Sequence, residues 1–135
     1  MATETQAPGI SASMNFATVT ITRSVTIDCA GMTVTSFGEL FINGVGIVVK
    51  VRNLTLNGAG AVPYGIRAVS MAALSVENCQ IFGQTGNTPG IGISFAPGSG
   101  VTAQLYVADS VISSNRLASS GGGIFIQPAG TGSFV

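Results

Sequence analysis

Histidine and tryptophan are missing from this 135-residue chain, and only 7% of its residues carry charge, against about a quarter in an ordinary globular protein. Without histidine there is no imidazole to activate a serine or to ligate a transition metal. Five basic and five acidic residues stand singly and cancel. No basic patch exists to neutralise phosphates, so nucleic acid is not an expected partner. The apolar runs are too short to cross a bilayer, so no membrane span is expected either. Met1 to Ser13 lacks the basic and apolar regions of a leader, which makes the cytoplasm the default location. The two cysteines, Cys29 and Cys79, form no CxxC pair and fall on non-adjacent repeats, so free thiols are expected.

What is present is apolar and small: 46% of residues are hydrophobic and 19 are glycine. Disorder needs more charge and less hydrophobicity than this. Val, Ile, Thr, Ser and Gly displace the residues that build good helices, so many short strands joined by Gly-rich turns are expected. One phrase occurs three times. Val49-Lys50-Val51-Arg52-Asn53-Leu54-Thr55-Leu56 matches Leu74-Ser75-Val76-Glu77-Asn78-Cys79-Gln80-Ile81 and Leu105-Tyr106-Val107-Ala108-Asp109-Ser110-Val111-Ile112. Each copy alternates apolar and polar residues up to an Asn or Asp, then alternates in the opposite phase. Alternation marks a half-buried strand. A change of phase marks a corner that keeps the same face inward.

The copies recur at offsets of 25 and 31 residues, which suits successive coils of one winding chain. A second element lies between them: Gly46-Ile47, Gly65-Ile66, Gly92-Ile93 and Gly123-Ile124. Gly is expected there to supply the positive φ of a turn before Ile begins a strand. Three strands per repeat predict an all-β fold, a short parallel β-helix (solenoid) of about four to five coils. At about 4.8 Å per coil its length is about 20–25 Å. Residues 1–15 read as an N-terminal arm and 16–135 as the β-helix domain. Ala17 to Asp28 reads as a first strand run, with Val25 and Ile27 in the slots of Leu54 and Leu56. Met32 to Gly44 reads as a shortened coil or an excursion.

The runs Val51-Arg52-Asn53-Leu54-Thr55-Leu56-Asn57-Gly58 and Ala73-Leu74-Ser75-Val76-Glu77-Asn78-Cys79, with the Gly-Ile pairs and Asp109-Ser110, resemble bacterial right-handed parallel β-helix repeat proteins. These have the pectate-lyase-like superfamily fold. The resemblance spans residues 17–132 and implies the fold; it implies no activity, because the catalytic residues of that superfamily's enzymes have no counterpart here.

Asn53, Asn78 and Asp109 share one slot, read as a corner ladder of inward side chains bonded to neighbouring coils. A row of metal or sugar ligands is the alternative. Asn53-Leu54-Thr55 also spells a glycosylation sequon, discounted for an inward corner. Leu74, Val76, Leu105, Val107, Val49 and Val51 form the inward stack. Arg52 and Glu77 are expected to pair across neighbouring coils. Polysaccharide lyases and hydrolases need clustered carboxylates. Here no two acidic residues share an outward column in adjacent coils, so no catalytic, metal or cofactor site is expected. Thr18, Thr20 and Thr22 alternate as in ice-binding arrays, but the matching slots on later repeats are Lys50, Arg52, Ser75, Glu77 and Tyr106.

A terminal coil has one neighbour only and leaves backbone groups and core exposed. Phe125, Phe134 and Val135 mark an apolar self-association edge. The function expected from the sequence is a non-enzymatic structural or interaction module that forms a homo-oligomer. A carbohydrate-binding or polysaccharide-active module using an outward face comes second, and ice binding third.

Overall fold

A computed structural model describes residues 3–6, 12–14, 18–30, 34–36, 38–85, 89–116 and 121–130. Among these residues there is no helix. There are fifteen strands, in three five-stranded sheets. The first sheet holds β1 (Thr3–Gln6), β4 (Val25–Asp28), β7 (Val48–Arg52), β10 (Ala73–Glu77) and β13 (Gln104–Ala108). The second holds β2 (Ala12–Met14), β5 (Val34–Ser36), β8 (Thr55–Asn57), β11 (Gln80–Phe82) and β14 (Val111–Ser113). The third holds β3 (Thr18–Ile21), β6 (Glu39–Asn43), β9 (Tyr64–Ser70), β12 (Ile91–Phe95) and β15 (Gly122–Ile126). The chain visits the three sheets in turn and then repeats. It is a parallel β-helix whose five coils each contribute one strand to every sheet.

Register makes the core. Leu74 pairs with Val49 on one side and Leu105 on the other, and Val76 pairs with Val51 and Val107. Alternation then sends the same side of every strand inward. Val49, Val51, Leu74 and Val76 are buried, as are Leu56 and Ile81 of the second sheet and Ile66 and Ile93 of the third. Leu105 and Val107, in the last coil, are partly buried against this cluster. Each fully buried side chain of this kind contributes about 1.5–3 kcal/mol. No single residue dominates; the stack as a whole holds the fold.

The Gly-Ile pairs do two different jobs. Gly46 has the positive φ (73°) expected of a turn, and the turn closes with Ile47 N donating to Gly44 O at 3.4 Å. That is the geometry of a type II turn with glycine at its third position. Gly65, Gly92 and Gly123 are not among the positive-φ residues. They lie inside β9, β12 and β15, where the third sheet runs close against the second. A Cβ on Gly92 would stand 2.5 Å from Ile112 Cγ2 and 2.8 Å from Gly123 O. At Gly65 and Gly92 lack of space, and not backbone conformation, demands glycine; at Gly123 an added Cβ would stand 3.6 Å from Ile112 Cγ2, an ordinary contact.

Beside those glycines sits a polar feature that the repeats do not reveal. Gln84 and Asn115 are buried between the second and third sheets. Asn115 Oδ1 accepts from Gln84 N at 3.2 Å, and Asn115 Nδ2 donates to Ile81 O at 2.9 Å. With its amide turned to satisfy both ends, Gln84 donates to Phe82 O and Asn115 Oδ1 and accepts from Gly58 N. Asn115 thereby partners Gln84 N and Ile81 O, while Gln84 adds bonds to Gly58 N and Phe82 O, which already bond each other at 2.8 Å.

Two sequence expectations are corrected. Val25 and Ile27 pair with Val49 and Val51, one sheet earlier than the Leu54 and Leu56 slots. The slip arose because Cys29 holds the corner slot and Asp28 the position before it, so this coil lacks the Asn or Asp that marks the corner in later coils. Met32 to Gly44 contains β5 and β6 of a regular coil, with Leu40 and Ile42 in the core. Its sequence pattern is obscured because this coil lacks the Asn corner and the Gly-Ile pair. Within the 1–15 arm, β1 and β2 pair in parallel with β4 and β5. Phe134 and Val135 lie outside the described residues.

Substituting Gly92→Ala is expected to destabilise the fold by about 3 kcal/mol, the upper range for forcing an extra methyl into a packed interior. Gly98→Ala, with nothing nearer than 4.0 Å to its added Cβ, is expected to change stability by less than about 1 kcal/mol. Urea unfolding of the two variants checks the contrast.

Candidate functional site

The first and second sheets meet at a corner that one residue turns. Asn53, Asn78 and Asp109 occupy it with φ of 57°, 49° and 49°. A left-handed residue there reverses the alternation in one step, so that Leu54 and Cys79 can enter the core directly after it. Asn and Asp tolerate this conformation best among residues with a Cβ. The same conformation swings the corner side chain outward. Asn78 and Asp109 are exposed and Asn53 half-buried, so the ladder lies on the surface and not inside as its sequence slot implied.

The ladder has a direction. Asn78 Nδ2 donates to Asn53 Oδ1 at 2.7 Å, and Asn53 Nδ2 donates to Asp28 Oδ1 at 2.7 Å. In the second coil Cys29 holds the corner position, its N donating to Arg52 O as Asn53 N does to Glu77 O. Asp28, one residue earlier, reaches over to complete the ladder. Its carboxylate also accepts from Ala30 N at 3.0 Å and Arg52 Nε at 2.8 Å. Asn53 first, then the Ala30 amide and the Arg52 charge, hold the Asp28 carboxyl below its ordinary value.

Arg52 and Glu77 are register partners, as the repeats imply. Arg52 nonetheless turns to Asp28, and Glu77 accepts from the Ser75 hydroxyl at 2.6 Å. Asp28 wins because it is the better shielded carboxylate, with 10% of its side chain exposed, and a shielded charge attracts more strongly.

Along this corner runs a shallow cleft of about 410 Å³, lined by Cys29, Asn53, Asn78, Cys79 and Asp109 among others. Cys29 and Cys79 are free and buried, and burial pushes both thiols up. Both therefore stay protonated at neutral pH and are poor nucleophiles. Among the described residues no group of three or more His, Cys, Asp or Glu side chains is placed to hold a metal ion. The described residues also include no helix long and apolar enough to cross a membrane.

A second cluster lies on the outward face of the third sheet. Arg67 donates through Nε to Glu39 Oε1. Its guanidinium carbon stands 4.4 Å from the centroid of Phe41 and 5.1 Å from that of Tyr64. Stacked cation and ring pairs of this kind contribute about 0.5–1 kcal/mol at the surface. The outward column runs Thr20, Phe41, Arg67, Ser94, Phe125. Threonine does not recur in it. Sequence reasoning missed this cluster because Glu39 and Phe41 lie in the coil whose repeat pattern is obscured.

The third notable surface is the edge of the last coil. Ile124 and Ile126 hold the inward slots of Ile93 and Phe95. They are 45% and 47% exposed where Ile93 and Phe95 are 0% and 4%. Tyr106, Val111 and Phe125 are exposed on the same coil. Compared with protein-family models, curated proteins and solved structures, the chain matches none of them.

Asn53→Ala is expected to destabilise by about 2 kcal/mol, losing two side-chain bonds and forcing Ala into a left-handed corner. Asn53→Gly is expected to cost about 1 kcal/mol less, because glycine accepts that conformation freely. Denaturation of both variants tests the corner. Asp28 adds a pH dependence. Its folded-state value is depressed, so its stabilisation is fully present above the unfolded carboxylate value of about 3.9 and is lost as pH falls through the folded value. Asp28→Asn is expected to flatten the acid limb of the stability curve. An unchanged limb contradicts the assignment.

Proposed function

We propose that the chain is a non-enzymatic structural or interaction module that associates with further copies of itself through the edge of a terminal coil. One observation carries the reading: side chains in core slots of the last coil are half exposed where their equivalents one coil earlier are buried. Among the described residues nothing covers that edge. Unpaired parallel strands with an apolar inner rim favour pairing with another chain. The corner cleft supports no catalytic alternative, since its thiols are held protonated. The resemblance to pectate-lyase-like β-helix proteins fits this reading at the level of the coil, not of catalysis.

A carbohydrate ligand on the third sheet is the second reading. Phe41 and Tyr64 beside the Arg67 and Glu39 pair combine ring faces with charged hydrogen-bonding groups, as sugar sites do. Arg67 already stands over both rings, which weighs against it.

Light scattering at high micromolar concentration is expected to give a mass above that of the monomer. A clean monomer mass overturns the leading reading. A glycan array tests the second: micromolar binding to an oligosaccharide, abolished by Tyr64→Ala, promotes it over the first.

A further inference from the structure

The edge of the last coil is built of apolar positions. Leu105, Val107, Ile112, Ile124 and Ile126 occupy its inward slots, and among the described residues nothing covers the edge they rim. In the first coil Thr3 and Thr5 stand at the register positions of Val25 and Ile27, while Val19 and Ile21 stand at those of Leu40 and Ile42.

We propose, resting on the self-association reading above, that the last coil is an isologous face that meets the last coil of one second copy about a twofold axis, closing a dimer. A two-fold contact requires a surface that reads the same when reversed. The strand lengths of this coil do: β13 has 5 residues, β14 has 3 and β15 has 5. Reversal lays β14 on its own copy and β13 antiparallel to β15 of the second copy.

The side chains follow suit. Antiparallel pairing that sets Leu105 opposite Ile126 of the second copy also sets Val107 opposite Ile124. Inward slots then face inward slots, and one core runs through both molecules. Between these pairs the outward position brings Tyr106 opposite Phe125 of the second copy. Those two are the exposed aromatic side chains of the coil, at 59% and 45%. Aromatic pairs across antiparallel strands favour such a contact, and the axis makes two of them. In-register end-to-tail stacking sets Phe125 against Thr20 in place of an aromatic side chain, and it cannot close.

The test uses the full chain and substitutions at the two outward positions, which carry no core packing. Tyr106→Lys alone and Phe125→Lys alone are each expected to weaken dimerisation at least about tenfold in sedimentation equilibrium, with circular dichroism unchanged. The double variant Tyr106→Lys with Phe125→Glu is expected to restore it to within about threefold, because lysine then faces glutamate of the second copy. Failure of that rescue, with both single variants folded, overturns the proposed pairing. Growth of the wild-type chain into particles larger than a dimer overturns the closed geometry and leaves self-association standing. A wild-type monomer overturns the self-association reading itself, and with it this inference.

Discussion

Each inner coil of this protein is held by the coils stacked on either side of it, through strands paired in parallel and in register. That constraint governs all other choices in the chain. A residue repeats its chemistry once per coil, at intervals such as 24, 25 or 31 positions, because it must match the residue stacked against it. The intervals vary because the loops between strands vary, while the strands do not. A one-residue slip in any coil would send its apolar side chains outward and its polar ones into the stack. Four of the few charged residues serve as inter-coil ties, Arg52 to Asp28 and Arg67 to Glu39.

Turning the chain between sheets is the harder problem, and each corner solves it differently. The first corner uses a left-handed Asn or Asp whose side chain bonds to its neighbour below. The second uses buried amides, Gln84 and Asn115, to bond the backbone where the sheets press together. The third uses glycine turns such as Gly44 to Ile47. The Asn ladder is an outward device, so it sets spacing and direction along the solenoid without occupying core volume. Its acceptor end points toward the last coil, where Asp109 can offer no amide donor. Ladder, core and strand edge all reach that coil unfinished, which is why function is sought there.

The repeats made much of this legible. Val49, Leu74 and Leu105 could be stacked from alternation alone, since a phase shift at a fixed slot has few structural meanings. The same logic failed where the second coil departs from the phrase. Cys29 takes the corner slot and Asp28 the position before it, so Val25 and Ile27 were shifted by one strand, and Glu39 and Phe41 could not be placed beside Arg67. Glycine misled in a different way. Gly92 and Gly46 precede Ile alike, yet one needs space and the other conformation, and only the proximity of Ile112 separates them. Whether the corner side chains point in or out was likewise undecidable from slot equivalence, because it turns on the sign of φ.

Shielded thiols and bonded amides occupy the corner, and among the described residues the edge of the last coil leaves the most core exposed. All of this requires that Leu74 lie between Val49 and Leu105. A methyl-labelled sample examined by nuclear Overhauser spectroscopy tests that most directly. The account predicts strong cross-peaks from the Leu74 methyls to those of both Val49 and Leu105. Cross-peaks to neither, in a folded sample, would contradict it.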